Sequence, residues 1–266
     1  MGTMCTSKRG IRMTVSQRRT SPFKRLQDWY RSPLGRKVAR AESECVQRLL
    51  HQTFGYYLVQ LGPTEIFREA LDSSRIRHRI MLPPEQPSGQ HGMEIIGLES
   101  QLPLATDSID AILLPHTLDF TDDPRAVLLE VERVLIPDGR VIIVGFNAFS
   151  AWGLWGVLLN VTGRMPWCGR FRMPSQVEAW LADAGFAIEF CERILFCPPL
   201  RSAQGARCAP IESLGRRFWP VLSGGYVIRA VKRVATLTPL KPSWNRRHAL
   251  LPGNAVRPTT RGRSHV

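Results

Sequence analysis

The stretch 102–147, LPLATDSIDAILLPHTLDFTDDPRAVLLEVERVLIPDGRVIIVGFN, constrains the chain more than any other. Ile109, Ala111, Ile112, Leu113 and Leu114 form a short, almost wholly apolar run, the composition of a parallel strand covered on both faces. Thr121-Asp122-Asp123-Pro124 then predicts a helix start, because Asp or Thr caps free backbone N–H groups and proline suits the first turn. Val127, Leu128, Val131, Val134 and Leu135 recur at helical spacing, with Glu130, Glu132 and Arg133 mainly on the other side. Pro137-Asp138-Gly139 is expected to end the helix and turn the chain into a second buried strand, Val141 to Val144. Strand, helix and strand in about forty residues make a βαβ unit, right-handed with its strands parallel.

The flanking chain supplies further elements. Phe23 to Phe54 reads as helical, interrupted at Ser32-Pro33-Leu34-Gly35. Strands are expected at residues 55–62, 77–82, 93–96, 186–196 and 226–235, with a short helix at 66–73 and an amphipathic helix at 174–184. Phe149, Trp152, Leu154, Trp155, Leu158 and Leu159 mark an aromatic-rich helix, for which core packing, a substrate wall and a partner surface all fit. The uncharged run 141–163 is long enough to cross a bilayer. Its first half is claimed by the strand, and Gly145, Asn147, Ser150, Gly153, Gly156 and Asn160 interrupt it, so a buried strand and an apolar helix are expected instead.

The net charge of +14 is unevenly placed. Residues 1–27 hold seven Lys/Arg and residues 237–266 hold six, neither with an acid, which leaves 23 basic and 22 acidic residues between them. The expected organisation is a disordered basic tail at 1–21, one α/β domain at 22–236 and a basic Pro-rich tail at 237–266. Basic tails can engage nucleic acid or anionic membranes, but neither tail interleaves aromatic residues with its charges. The six cysteines show no zinc spacing, and without a secretory signal reduced thiols in a cytoplasmic protein are expected. No metal is expected.

Ligands of open parallel sheets bind at the carboxyl ends of the strands. There the chain delivers His116 and Asp119, and one strand later Gly145, Phe146 and Asn147. A pKa near neutrality suits His116 to general-base work, and it could equally hydrogen-bond a loop carbonyl or line a pocket. Asn147 could meet a substrate or cap the next turn.

The words LPLATDSID, ILLPHTLDF, DPRAVLLEVERVLIPDGRVIIVGFN and the following S-x-WGL resemble the central half of class I S-adenosylmethionine-dependent methyltransferases of the type 11 group, and within it a subgroup of small bacterial proteins. The resemblance implies a Rossmann-like fold with a seven-strand sheet of order 3-2-1-4-5-7-6, S-adenosyl-L-methionine as cofactor and methyl transfer to a small molecule or lipid. It implies that the first helix can wall the cofactor site, and that Gly62, Glu85, Glu99 and His116 contact the cofactor. His116 would be catalytic, and Phe146, Asn147 and Trp152 would shape the substrate pocket. The chain departs from the family pattern where Gln60 stands for the acid before the glycine loop, where no acid directly follows Leu82, and where Leu98 replaces the adenine-binding Asp. These departures motivate an alternative, a methyltransferase-fold binding or scaffold protein.

Overall fold

The computed structural model describes residues 22–63, 65–82, 101–159, 165–199, 215, 217 and 219–233, with backbone alone for 157–159 and 220. In chain order the elements are α1 (Pro22–Tyr30), α2 (Pro33–His51), β1 (Tyr57–Leu61), α3 (Arg68–Asp72), β2 (His78–Leu82), β3 (Ile109–Pro115), α4 (Thr117–Phe120), α5 (Pro124–Val134), β4 (Leu135–Phe146), α6 (Ala151–Leu159), α7 (Pro174–Asp183), β5 (Phe186–Ile194) and β6 (Gly225–Lys232), with a 3-10 turn at Pro220–Leu222 before β6. The strands form one sheet of order β2-β1-β3-β4-β6-β5. β2, β1, β3 and β4 run parallel, and β6 is antiparallel to both β4 and β5. This is the Rossmann-like class I arrangement expected from the sequence. Six strands are described; the third expected strand, 93–96, lies outside the described residues, as do both tails.

Strand alternation explains why the central strands read as continuous apolar runs. Ala111 and Leu113 of β3 join Leu58, Ile142 and Val144 in a core with Leu26, Val38, Val46 and Leu50 of α1 and α2. Ile112 and Leu114 face the other way, with Val59, Val141 and Ile143 against Val127, Leu128 and Val131 of α5 and Val177 and Leu181 of α7. Each central strand is therefore covered on both faces.

The break between α1 and α2 follows from local chemistry. Ser32 Oγ accepts from Gly35 N at 3.0 Å, and Pro33 opens α2. A Cβ on Gly35 would sit 2.2 Å from the Trp29 carbonyl, so only glycine lets the two helices close up. At α5, Asp123 Oδ1 accepts from Arg125 N and Ala126 N, the expected cap.

Two sequence expectations are corrected. β4 begins at Leu135 and not at Val141: Leu135 already pairs with Ile109, the chain bulges outward with Asp138 at φ 60°, and pairing resumes at Arg140 opposite Ala111. The thiols are not all reduced either. Cys45, Cys168 and Cys191 are free, whereas Cys197 is disulfide-bonded. Among the described residues no helix is long and apolar enough to cross a membrane, and no cluster of His, Cys, Asp and Glu could hold a metal.

One buried charge locks the sheet. Lys232, at the end of β6, donates from Nζ to Asp107 Oδ1 (2.8 Å), the Glu132 carbonyl (2.8 Å) and the Leu135 carbonyl (2.9 Å), with Glu132 Oε1 at 3.1 Å. Its three ammonium protons are all used, and the carbonyls at the α5–β4 junction gain a partner.

Candidate functional site

At the carboxyl end of β3 the chain turns sharply. His116 takes the left-handed conformation (φ 55°), its N–H bonded to the Val144 carbonyl at 2.8 Å. The single-turn helix α4 follows, an element the sequence reading did not resolve, and Thr117 Oγ1 donates to the Leu61 carbonyl at 2.6 Å. The turn aims the imidazole beneath α1 and α2, where it is fully buried.

Four polar side chains meet there, all buried. Tyr30 Oη donates to Glu42 Oε2 at 2.7 Å and lies 2.7 Å from His116 Nε2. Glu42 Oε1 is 3.2 Å from the same nitrogen. His116 Nδ1 faces Asp119 Oδ2 at 3.0 Å, which also accepts the Phe146 N–H at 3.1 Å. Burial alone would push His116 down, but Glu42 and Asp119 outweigh it and hold its pKa up at about 9. Burial, reinforced by Glu42, pushes the Tyr30 phenol well above its usual value, so it stays protonated. Asp119 is also raised by burial, against the opposing pull of His116. These directions fit one proton arrangement: Nδ1–H of an imidazolium to Asp119, Nε2–H to Tyr30 Oη, and the phenol proton to Glu42.

The other sequence-singled residues lie close by, below the surface. Phe146 is buried and stacks on His116, with ring centroids 4.3 Å apart, and on Trp152 at 6.0 Å. Trp152 is buried, with Nε1 donating to the Cys197 carbonyl. Asn147 ties α6 to the segment before β6: Nδ2 donates to the Val221 and Ser223 carbonyls, both at 2.9 Å, and Oδ1 accepts from Phe149 N. Phe146, Asn147 and Trp152 therefore form a floor behind His116. Tyr30 and Glu42 were not picked out from the sequence. The available signal was Glu42 itself, an acid four residues from both Val38 and Val46 within the apolar stripe of α2.

Gly62 and Gln60 mark the end of β1. Gly62 has φ 127°, and a Cβ there would stand 2.8 Å from the Pro115 carbonyl, so the β1 exit loop and the β3 end can approach only at glycine. Gln60 is buried; its Nε2 donates to the Pro63 carbonyl, while its Oε1 has no hydrogen-bond partner among the described residues. Beside this loop, α1, α2 and the start of α3 enclose an open groove of about 740 Å³ lined by residues including Gln27, Tyr30, Arg31, Glu65, Ile66 and Glu69. That volume suits a nucleoside-sized ligand. Glu85 and Glu99 lie outside the described residues.

Comparison with known proteins converges on one fold. Residues 85–143 match a family profile described as a methyltransferase domain. The chain is 28% identical over 223 residues to the uncharacterized protein YafS of Escherichia coli, spanning 82% of this chain and 86% of that protein. It is 26% identical over 179 residues to the uncharacterized protein Rv2003c of Mycobacterium tuberculosis, 64% of this chain and 60% of that protein. Among solved structures, a complex of the Haloferax volcanii Trm112 methyltransferase activator with a candidate methyltransferase covers 79% of this chain and 98% of that one, at 16% identity and a TM-score of 0.54. At that identity the likeness shows the fold alone. The scaffold alternative gains no support from these matches.

Proposed function

We propose, from the premise that the chain is a class I S-adenosylmethionine-dependent methyltransferase, that it holds the donor along the carboxyl edge of the sheet beside Gln60 and Gly62. The acceptor, in this reading, is a small molecule or lipid in the cytoplasm. The observation that carries the reading is Gln60 Oε1, a buried acceptor without a donor among the described residues at the exit of β1. A ligand ammonium supplies the missing donor; in the family the acid at this position accepts from that same group. The residues present thus fit the amino-acid end of the donor, and Glu85 or Glu99 is assigned to its nucleoside end. The donor, when bound, supplies a methyl carbon on a positively charged sulfur.

The chain's contribution is positioning. Gly62 lets the β1 loop pack against the end of β3 without a side chain between them. Tyr30 lines the groove and is tied to His116 and Glu42, so the imidazole fixes the α1–α2 wall of the site. With its pKa near 9, His116 already holds a proton at neutral pH. It therefore acts in this proposal through Tyr30, as a positioning residue, rather than as a base on the substrate.

Calorimetric titration with S-adenosylhomocysteine tests the reading. Saturable binding is expected, weakened about ten-fold or more in Gln60→Leu, in line with the loss of a hydrogen bond to a charged group. Equal binding by Gln60→Leu and the wild type would remove Gln60 from the site.

A further inference from the structure

The opposite edge of the sheet carries a surface that methyl transfer does not use. Where β1 and β2 begin, three aromatic rings stand in solvent: Phe54 is 63% exposed, Tyr56 66% and Tyr57 44%. Around them lie exposed Arg75, Arg77, His78 and Arg79. The rings and cations interleave. The Arg75 guanidinium carbon sits 5.2 Å from the Phe54 ring centroid, and His78 stacks on Tyr57 with centroids 5.3 Å apart and planes 25° from parallel. His78 N donates to the Tyr56 carbonyl, which draws Arg77 alongside Tyr56.

This aromatic run is fastened. Asp110 Oδ2 accepts from Tyr56 N at 3.0 Å and Tyr57 N at 2.9 Å. Between Phe54 and Tyr56, a Cβ on Gly55 would fall 2.4 Å from Asp110 Cβ, so the backbone there is pressed onto that side chain. A held, exposed cluster of rings among cations has the ingredients of a base-stacking platform: rings for bases and guanidinium groups for phosphates.

We infer that this rim, Phe54 to Tyr57 with Arg75 to Arg79, is a docking surface for single-stranded nucleic acid. Arg75 and Arg77 of the rim complement a polyanion; Arg79 is engaged by Asp72 at 2.7 Å, and the chain's excess positive charge lies in its tails. The cation–π contact of Arg75 with Phe54 and the near-parallel stack of His78 on Tyr57 favour planar bases over lipid chains or carboxylate side chains, and a duplex keeps its base faces inside its own stack. β1 spans about 17 Å at ~3.3 Å per residue, so a strand docked here leaves the donor edge at Gly62 open.

Fluorescence anisotropy of labelled 15-mers of oligo(U) and oligo(dT) with the full chain tests the inference. Binding is expected at low salt, about ten-fold weaker in Tyr56→Ser and in Phe54→Ser. Both side chains are exposed, so the thermal midpoint should not move. Arg77→Ser should reduce the slope of log affinity against log salt by about one. Tighter binding of oligo(U) would assign the surface to RNA, and tighter binding of oligo(dT) to DNA. Absence of binding would overturn the inference, as would affinity unchanged in both ring variants, since the basic tails would then carry it alone. A duplex bound as tightly as single strands, or equal competition by polyglutamate or by phosphatidylglycerol vesicles, would overturn it as well.

Discussion

Two buried charged clusters sit at opposite ends of the sheet, and they are built differently. Around Lys232, one cation faces two carboxylates and two carbonyls, every ammonium proton is used, and the aspartate is half exposed to water. Around His116, one imidazole faces two carboxylates that are themselves fully buried, and Asp119 Oδ1 has no hydrogen-bond partner among the described residues. The first is saturated and fastens β6 to the α5–β4 junction. The second holds more negative than positive charge away from water, an arrangement that costs stability and is sensitive to protonation. It is also the one joined to the groove, through Tyr30.

The comparison can be broken most severely at Lys232. Lys232→Met leaves the Glu132 and Leu135 carbonyls without their donor and removes the partner of two partly exposed carboxylates, so a loss of about 3–5 kcal/mol is expected in urea unfolding, at about 1–3 kcal/mol for each carbonyl left unpaired. A loss under about 1 kcal/mol would mean the cluster is better hydrated than its geometry shows.

The second test is pH. The folded-state pKa of His116 is raised, so its stabilising contribution is complete below the unfolded value of about 6.5 and is lost as pH rises through about 9. Raised Asp119 works in the same direction. Stability should therefore fall between about pH 6.5 and 9 by on the order of 3 kcal/mol, taking each pKa unit as about 1.4 kcal/mol. The slope should flatten in His116→Asn. An unchanged slope in that variant would put the titration elsewhere.

Glu42→Gln sharpens the same point. The amide oxygen can still accept from Tyr30, but the charge facing His116 is gone. The histidine pKa should drop, read by NMR titration of the ring, with a stability change of about 1–3 kcal/mol. Asp123→Ala gives the smallest expected effect. It removes an exposed helix cap that bonds to neither cluster and should cost about 1 kcal/mol with no change in pH dependence.

Much of the fold was legible because the βαβ unit is written in both periodicities: two apolar runs flank a helical stripe closed by Asp123 and Pro124. The six described strands stand in the expected order. The start of β4 was misread because Pro137-Asp138-Gly139 signals a turn, and only pairing with Ile109 shows that the strand has already begun at Leu135. The site was less legible. His116 and Asp119 were found from their place at a strand end, but their partners Tyr30 and Glu42 come from helices about 75 to 85 residues earlier. No local pattern brings these together. Glu42 stands within the apolar stripe of α2 and is buried facing the imidazole.

The central claim is the proposal that the carboxyl edge of the sheet beside Gln60 and Gly62 binds the methyl donor. Calorimetric titration of the wild-type protein with S-adenosylhomocysteine tests it most directly. Saturable one-to-one binding is the expected result, and no heat at millimolar ligand would contradict the account.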